Sequence, residues 1–160
     1  MRRALAATAL ALVATMAAPA AFGASGSLND ADDPDQDLAD VLKLSYSNKD
    51  AKAVMKMTYD VNRPQTENFY VRWGSDGKYY KLQHDSVNGT SLWYSNGSEE
   101  SEKNCSGDRV SHDADTVVST GTIPRSCMSH APGKVKFQGI VTAGLFIHDD
   151  TRTSDVVRKG

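Results

Sequence analysis

From Asp40 onward, apolar and polar residues alternate with a period of two, the spacing that sends successive side chains to opposite faces of a strand. Leu42, Leu44 and Tyr46 fall on one face, and Lys43 and Ser45 on the other. After the turn Ser47-Asn48-Lys49-Asp50, the residues Ala53, Met55, Met57, Tyr59 and Val61 alternate with Lys52, Val54, Lys56 and Thr58. That stretch also contains good helix formers, but a helix would put Lys52 and Lys56 on the same side as Met55. The pattern therefore predicts a strand, which Pro64 ends.

Phe69, Val71 and Trp73 next alternate with Tyr70 and Arg72 up to Gly74-Ser75-Asp76-Gly77, where Asp-Gly signals a hairpin whose return strand runs from Lys78 to His84. Asn88-Gly89 marks another turn, followed by Ser91-Leu92-Trp93-Tyr94, and Ser98 to Lys103 reads as an acidic polar loop. Asp115 to Ile123 is a Val- and Thr-rich strand stopped by Pro124, Lys134 to Val141 sets Val135 and Phe137 against Lys134, Lys136 and Gln138, and Leu145 to His148 is a last short strand. Seven or eight short strands with frequent turn signals and no long helix predict an all-β chain, an antiparallel β-sandwich.

The flanks of this pattern differ from it. Met1-Arg2-Arg3 precedes an alanine-rich apolar run from Ala4 to Ala18 and then the small residues Ala18 to Ala24, the three parts of a secretory signal. The run is shorter than the ~20 residues that cross a bilayer. No cysteine follows it to carry a lipid. The expected organisation is a signal peptide over 1–24, an acidic and flexible segment over 25–40, the sandwich over 41–150 and a polar tail over 151–160. The product is expected to be secreted, with no membrane attachment once the signal is cleaved.

Without Arg2 and Arg3 the chain holds 16 basic and 20 acidic residues, a formal charge of −4. That balance argues against nucleic acid as a partner. Cys105 and Cys127 are the two cysteines, and an even count outside the cell predicts a disulfide worth about 3 kcal/mol in the chain-entropy account. Cysteines so committed supply neither a nucleophile nor a metal thiolate.

Ser119-Thr120-Gly121-Thr122-Ile123-Pro124-Arg125-Ser126-Cys127-Met128, with the partner Cys105 upstream and a Val-x-Phe strand after it, resembles a group of small secreted actinobacterial β-sandwich proteins of uncharacterised function. The Asp-rich entry to the first strand and the aromatic Asp-Gly hairpin from Trp73 to Tyr80 are similar too. The resemblance implies a sandwich like that of extracellular carbohydrate-binding domains. It bears on fold more than on activity.

Four features carry candidate chemistry. Asp33-x-Asp35-x-Asp37 spaces carboxylates as a Ca²⁺ loop does, although the EF-hand pattern fails with Leu38 at the sixth position and Leu44 at the twelfth. These three aspartates are the candidate metal ligands, Ca²⁺ being the one cofactor considered. Tyr70, Tyr79, Tyr80, Trp93 and Tyr94 lie on adjacent hairpins, and alternation keeps some of them out of the core; Tyr70, Tyr80 and Trp93 are taken as a ligand platform of the kind on which sugars stack. Four histidines sit beside Asp or Ser, as in His112-Asp113-x-Asp115 and His148-Asp149-Asp150, but neither a His-x-x-x-His pair nor a Gly-x-Ser-x-Gly elbow is present. Arg125, next to a disulfide cysteine, has the makings of a protease-inhibitor loop.

The reading that emerges is a non-catalytic extracellular binding or interaction domain whose first ligands to test are a glycan and Ca²⁺, with an extracellular protein as the other candidate partner. A small hydrolase using His and Asp residues and an inhibitor presenting Arg125 are the alternatives.

Overall fold

The computed structural model describes residues 24–30, 40–60, 66–143 and 146–160, leaving aside the side chains of 143 and 146–148. The chain folds into two antiparallel sheets packed face to face. The smaller sheet is built from β1 (Ala24–Asn29), β2 (Val41–Asn48), β3 (Lys52–Tyr59), β8 (Arg109–Asp113) and β9 (Val118–Pro124), in the order β1-β2-β3-β9-β8. The larger contains β4 (Thr66–Trp73), β5 (Lys78–Asp85), β6 (Gly89–Asn96), β7 (Glu100–Lys103), β10 (Lys134–Ala143) and β11 (Phe146–Asp150), in the order β11-β10-β4-β5-β6-β7, and β12 (Val157–Arg158) pairs with β10. A single 3₁₀ turn, Arg125–Cys127, links β9 to β10.

Period-two patterning accounts for the packing. On β3 the residues Ala53, Met55, Met57 and Tyr59 are buried and Lys52 and Lys56 exposed, so the helical alternative is absent. Val41, Leu44, Met55, Met57, Phe69 and Phe137 are all 0% exposed and meet across the two inner faces. Burying each such side chain contributes on the order of 1.5–3 kcal/mol. The sheets approach closely where two glycines allow it: a Cβ on Gly121 would come within 2.7 Å of the Phe69 ring, and one on Gly139 within 2.5 Å of the Met57 sulfur.

The expected all-β sandwich is therefore the observed one, with twelve strands among the described residues instead of seven or eight. Among the additional strands, β1 and β7 are polar and lie at edges. β1 (Ala-Ser-Gly-Ser-Leu-Asn) pairs along its whole length with β2 while burying only Leu28, and β7 (Glu-Ser-Glu-Lys) pairs with β6. Charged or hydroxyl-rich edge strands take their stability from the backbone ladder, and such side chains discourage further pairing. Strand β9 begins at Val118 and not at Asp115, because Asp113 accepts N–H bonds from Asp115 and Thr116 and turns the chain there. Leu42 is only half-buried: a register shift between Val41 and Lys43 inserts a bulge and brings Val41 to the core in its place.

The boundaries shift too. Residues Ser25–Asn29 belong to the smaller sheet, so the sandwich starts before position 41, and the acidic stretch 31–39 lies outside the described residues. The chain after 150 is no loose tail. Ser154 Oγ accepts the Phe137 N–H at 2.8 Å, Thr151 Oγ1 accepts that of Gly139 at 2.9 Å, and Val157 is 6% exposed.

Cys105 and Cys127 form the expected disulfide, with Cα atoms 5.7 Å apart and a sequence separation of 22. Each cysteine lies on a connection that crosses between sheets, β7 to β8 and β9 to β10. The bond therefore ties two crossovers together.

Candidate ligand-binding face

Register decides which aromatic residues face solvent. Phe69 and Val71 are buried, so alternation turns Tyr70 and Arg72 of β4 to the outside. The Asp-Gly hairpin sets Arg72 opposite Tyr79 and Tyr70 opposite Lys81. Across the next strand Lys81 faces Trp93, which in turn faces Glu102 of β7, while Tyr79 faces Ser95 and Ser95 faces Glu100. On the other flank, β10 contributes Lys136 opposite Arg72 and Gln138 opposite Tyr70.

Two rows of side chains thus cross the outer face of the larger sheet. The first reads Lys136, Arg72, Tyr79, Ser95, Glu100. The second reads Gln138, Tyr70, Lys81, Trp93, Glu102.

The rings are held in place by charge. Arg72 Cζ sits 4.3 Å from the Tyr70 centroid and 5.4 Å from that of Tyr79, and the two rings meet edge to face at 5.2 Å. Lys81 Nζ lies 2.8 Å from Glu100 Oε1 and 5.3 Å from the Trp93 ring. Tyr79 donates its hydroxyl to Glu100 Oε1 at 3.2 Å, and Trp93 Nε1–H donates to Ser91 Oγ at 2.9 Å. Burial pushes the Tyr70 phenol up to about 12, with a further contribution from Tyr79; the Tyr79 phenol is also raised, by burial first and Glu100 second. Both hydroxyls stay neutral near pH 7, able to donate and accept hydrogen bonds.

Beside this face lies a cavity of about 430 Å³, lined by Thr90, Ser91, Leu92, Glu102, Lys103 and Asp108 among others. Ser91 and Glu102 border both the cavity and Trp93. Burial raises the Asp108 carboxyl above its ordinary value.

Among the residues taken as the platform, Tyr70 and Trp93 occupy this face. Tyr80 does not: it is 1% exposed, its ring packs 5.6 Å from Trp73 and 5.1 Å from Tyr94, and its hydroxyl accepts the His130 N–H at 3.3 Å. Parity with the inward Leu82 assigns it to the core, and Tyr79 takes the outward place. That signal was in the sequence, since alternation along Lys78 to His84 separates neighbouring tyrosines onto opposite faces. The cross-strand partners Arg72, Lys81 and Lys136 needed the register.

Asp33, Asp35 and Asp37, the proposed Ca²⁺ ligands, lie outside the described residues. Among the described residues no group of three or more His, Cys, Asp or Glu is arranged to hold a metal ion.

The polar groups between the sheets do not form a nucleophile site. Glu67 is fully buried and accepts hydrogen bonds from Tyr59 at 3.0 Å and from Ser119 Oγ, whose other neighbour is His112 Nδ1 at 2.9 Å. Ser119 gives its proton to the carboxylate and is itself 0% exposed, whereas a catalytic serine must give it to an imidazole and reach substrate. The remaining described histidine side chains are apart from it: His84 meets Thr90 at 3.0 Å, and His130 stacks on Tyr94 at 4.7 Å.

Arg125 is likewise turned inward. Its Nη2 donates to the side-chain oxygen of the buried Asn48, and its Nε and Nη1 are buried as well. A side chain entering a protease pocket has to extend free of its own domain.

The fold and this face together define a disulfide-closed antiparallel β-sandwich with an aromatic and charged outer surface. Comparison with protein-family models, with curated proteins and with solved structures finds no match for the chain.

Proposed function

We propose that the protein is a secreted, non-catalytic binding domain that holds an extracellular glycan on the outer face of its larger sheet. The observation that carries this reading is the set of three large rings, Tyr70, Tyr79 and Trp93, kept at the surface by Arg72 and Lys81 while the core is filled without them. Sugar rings present C–H faces that stack on aromatics, and their hydroxyls match the polar groups set between the rings. Gln138 and the two neutral phenols supply those polar groups. The polar cavity beside Trp93 extends the surface beyond the sheet, with room for a side branch or chain end.

Export is part of the same proposal. The basic start, the alanine-rich run and the small residues after it support it, and the disulfide is compatible with an oxidising compartment. N-terminal sequencing of protein recovered from culture medium should find a start within 20–26.

A glycan array probed with the mature protein tests the binding. The expected result is a set of related oligosaccharides bound by the wild type and lost in Trp93→Ala. Binding that survives both Trp93→Ala and Tyr79→Ala removes this face from the function.

A further inference from the structure

The two flanks of the larger sheet's outer face carry opposite charge. At the β7 flank Glu100 is engaged by Lys81 and Tyr79. At the β10 flank, basic side chains confront one another. Lys136 lies directly opposite Arg72 across β10 and β4, and Lys134 directly opposite Arg158 across β10 and β12. Val135 and Phe137 point to the core, so Lys134 and Lys136 share the outer face with their partners. Lys134, Lys136 and Arg158 are exposed.

Of the acidic groups near this strip, Asp150 and Asp50 are engaged by other partners. Asp150 accepts from Gln138 at 3.1 Å, Asp50 holds Lys159 at 3.0 Å, and Asp155 is an exposed residue on the segment leading into β12. The ion pairs found among the described residues use Lys78, Lys81 and Lys159, none of the four in the strip.

Like charges directly opposite across strands are destabilising. Two such pairs side by side, in a domain whose mature formal charge is −4, form a local field opposed to that of the whole molecule. The guanidinium of Arg72, its Cζ 4.3 Å from the Tyr70 centroid, joins this field to the aromatic rows.

We propose that the strip formed by Arg158, Lys134, Lys136 and Arg72 receives the acidic groups of a polysaccharide, making the ligand of the aromatic face an anionic glycan. This rests on the binding face proposed above and names its ligand class. The chain of sugars crosses the strands from β12 toward β6, which are spaced about 4.8 Å apart. Its acidic groups meet the cations, and its ring faces meet Tyr79, Tyr70 and Trp93. Ring stacking on this face distinguishes the site from a bare cationic patch. The overall acidity of the domain repels polyanions that engage charge alone.

Calorimetric titration of the mature protein with polygalacturonate, its fully methyl-esterified form, dextran sulfate, dextran and duplex DNA tests this. Polygalacturonate is expected to bind more tightly than the ester, which keeps the sugar backbone and lacks the charge, and to lose affinity as salt rises. Binding of dextran sulfate over dextran would assign the acidic group as sulfate in place of carboxylate. The double variant Lys134→Ser/Lys136→Ser, which relieves the like-charge pairs at exposed positions and so does not lower the melting temperature, should weaken the acidic polymer roughly tenfold and the neutral one hardly at all. The inference is overturned if neither charged polymer is preferred to its neutral counterpart, if the double variant binds it like wild type, or if duplex DNA binds as tightly. Neutral glycans bound without any acidic preference leave the binding face standing and sink this inference alone; no glycan bound at all sinks both.

Discussion

The two solvent faces of the sandwich share one kind of backbone and almost nothing else. On the smaller sheet the outward rows read Ser25, Ser47, Val54, Thr122, Arg109 and Ser27, Ser45, Lys56, Thr120, Ser111. Lys56 and Arg109 apart, these are short side chains, and no ring is among them. The larger sheet's outward rows carry two tyrosines, a tryptophan, an arginine, two lysines and two glutamates. Both sheets are hydrogen-bonded antiparallel ladders that bury apolar residues on their inner faces. A stable outer face thus requires only strand-compatible residues such as Ser, Thr and Val. The rings of the larger sheet exceed what folding requires, and the proposed binding face rests on that excess.

The comparison can be broken most severely by testing inside against outside at adjacent positions. Tyr80→Ala empties a fully enclosed site and should cost about 3–5 kcal/mol, whereas Tyr79→Ala on the outer face should cost under about 1 kcal/mol. Urea denaturation of the two variants would contradict the assignment of faces if the larger loss came from position 79. Next in size is the disulfide. The double variant Cys105→Ser/Cys127→Ser should lose about 3 kcal/mol, because the bond joins two crossovers between the sheets. Binding by the outer face should survive in the fraction still folded, as measured by titration below the melting temperature.

A smaller effect sharpens the contrast between faces. Trp93→Ala should weaken glycan binding by about 2 kcal/mol, roughly thirtyfold, while Thr120→Ala on the opposite face leaves it within a factor of about two. Equal losses from the two substitutions would dissolve the distinction.

The smallest effect concerns the end where the sheets are joined. Asp149 of the larger sheet accepts the Val41 N–H of the smaller at 2.7 Å. Burial, and then the Asp40 carboxyl beside it, push its pKa up to about 6. The folded chain therefore keeps a proton there that the unfolded chain releases near pH 4. This group's contribution is greatest on the acid side, falls as pH rises from about 4 through 6, and is level above that. Asp149→Asn keeps an acceptor for Val41 and should flatten the wild-type slope by on the order of 1 kcal/mol, allowing for solvent screening. Parallel pH profiles of the two proteins in thermal melts would refute the assignment.

Strand character was legible wherever a segment had one buried face. Ala53 to Tyr59, Phe69 to Trp73 and Val135 to Phe137 lie inside as alternation predicts, because a one-residue slip would expose every apolar side chain at once. The edge strands β1 and β7 were hidden for the complementary reason. Their stability comes from hydrogen bonds to a neighbour, and backbone bonding leaves no trace in side-chain pattern. Of the candidate face, Tyr70 and Trp93 were legible and Tyr80 was misplaced by one position. Two consecutive tyrosines look equivalent until the parity of the strand is anchored to Leu82 and to the hairpin register. The inward turn of Arg125 depends on Asn48, distant in sequence, and no local signal announced it.

By itself the sequence determined the class of fold, the cysteine pair and the inward face of each central strand, since these follow from local alternation and composition. Tertiary structure alone decided the company each outward residue keeps. That Arg72 lies between two tyrosines, and that Lys134 and Lys136 each confront another cation, depends on strand order and register. Those are properties of pairing between distant segments, settled by the requirement that two whole sheets bury their inner faces against each other.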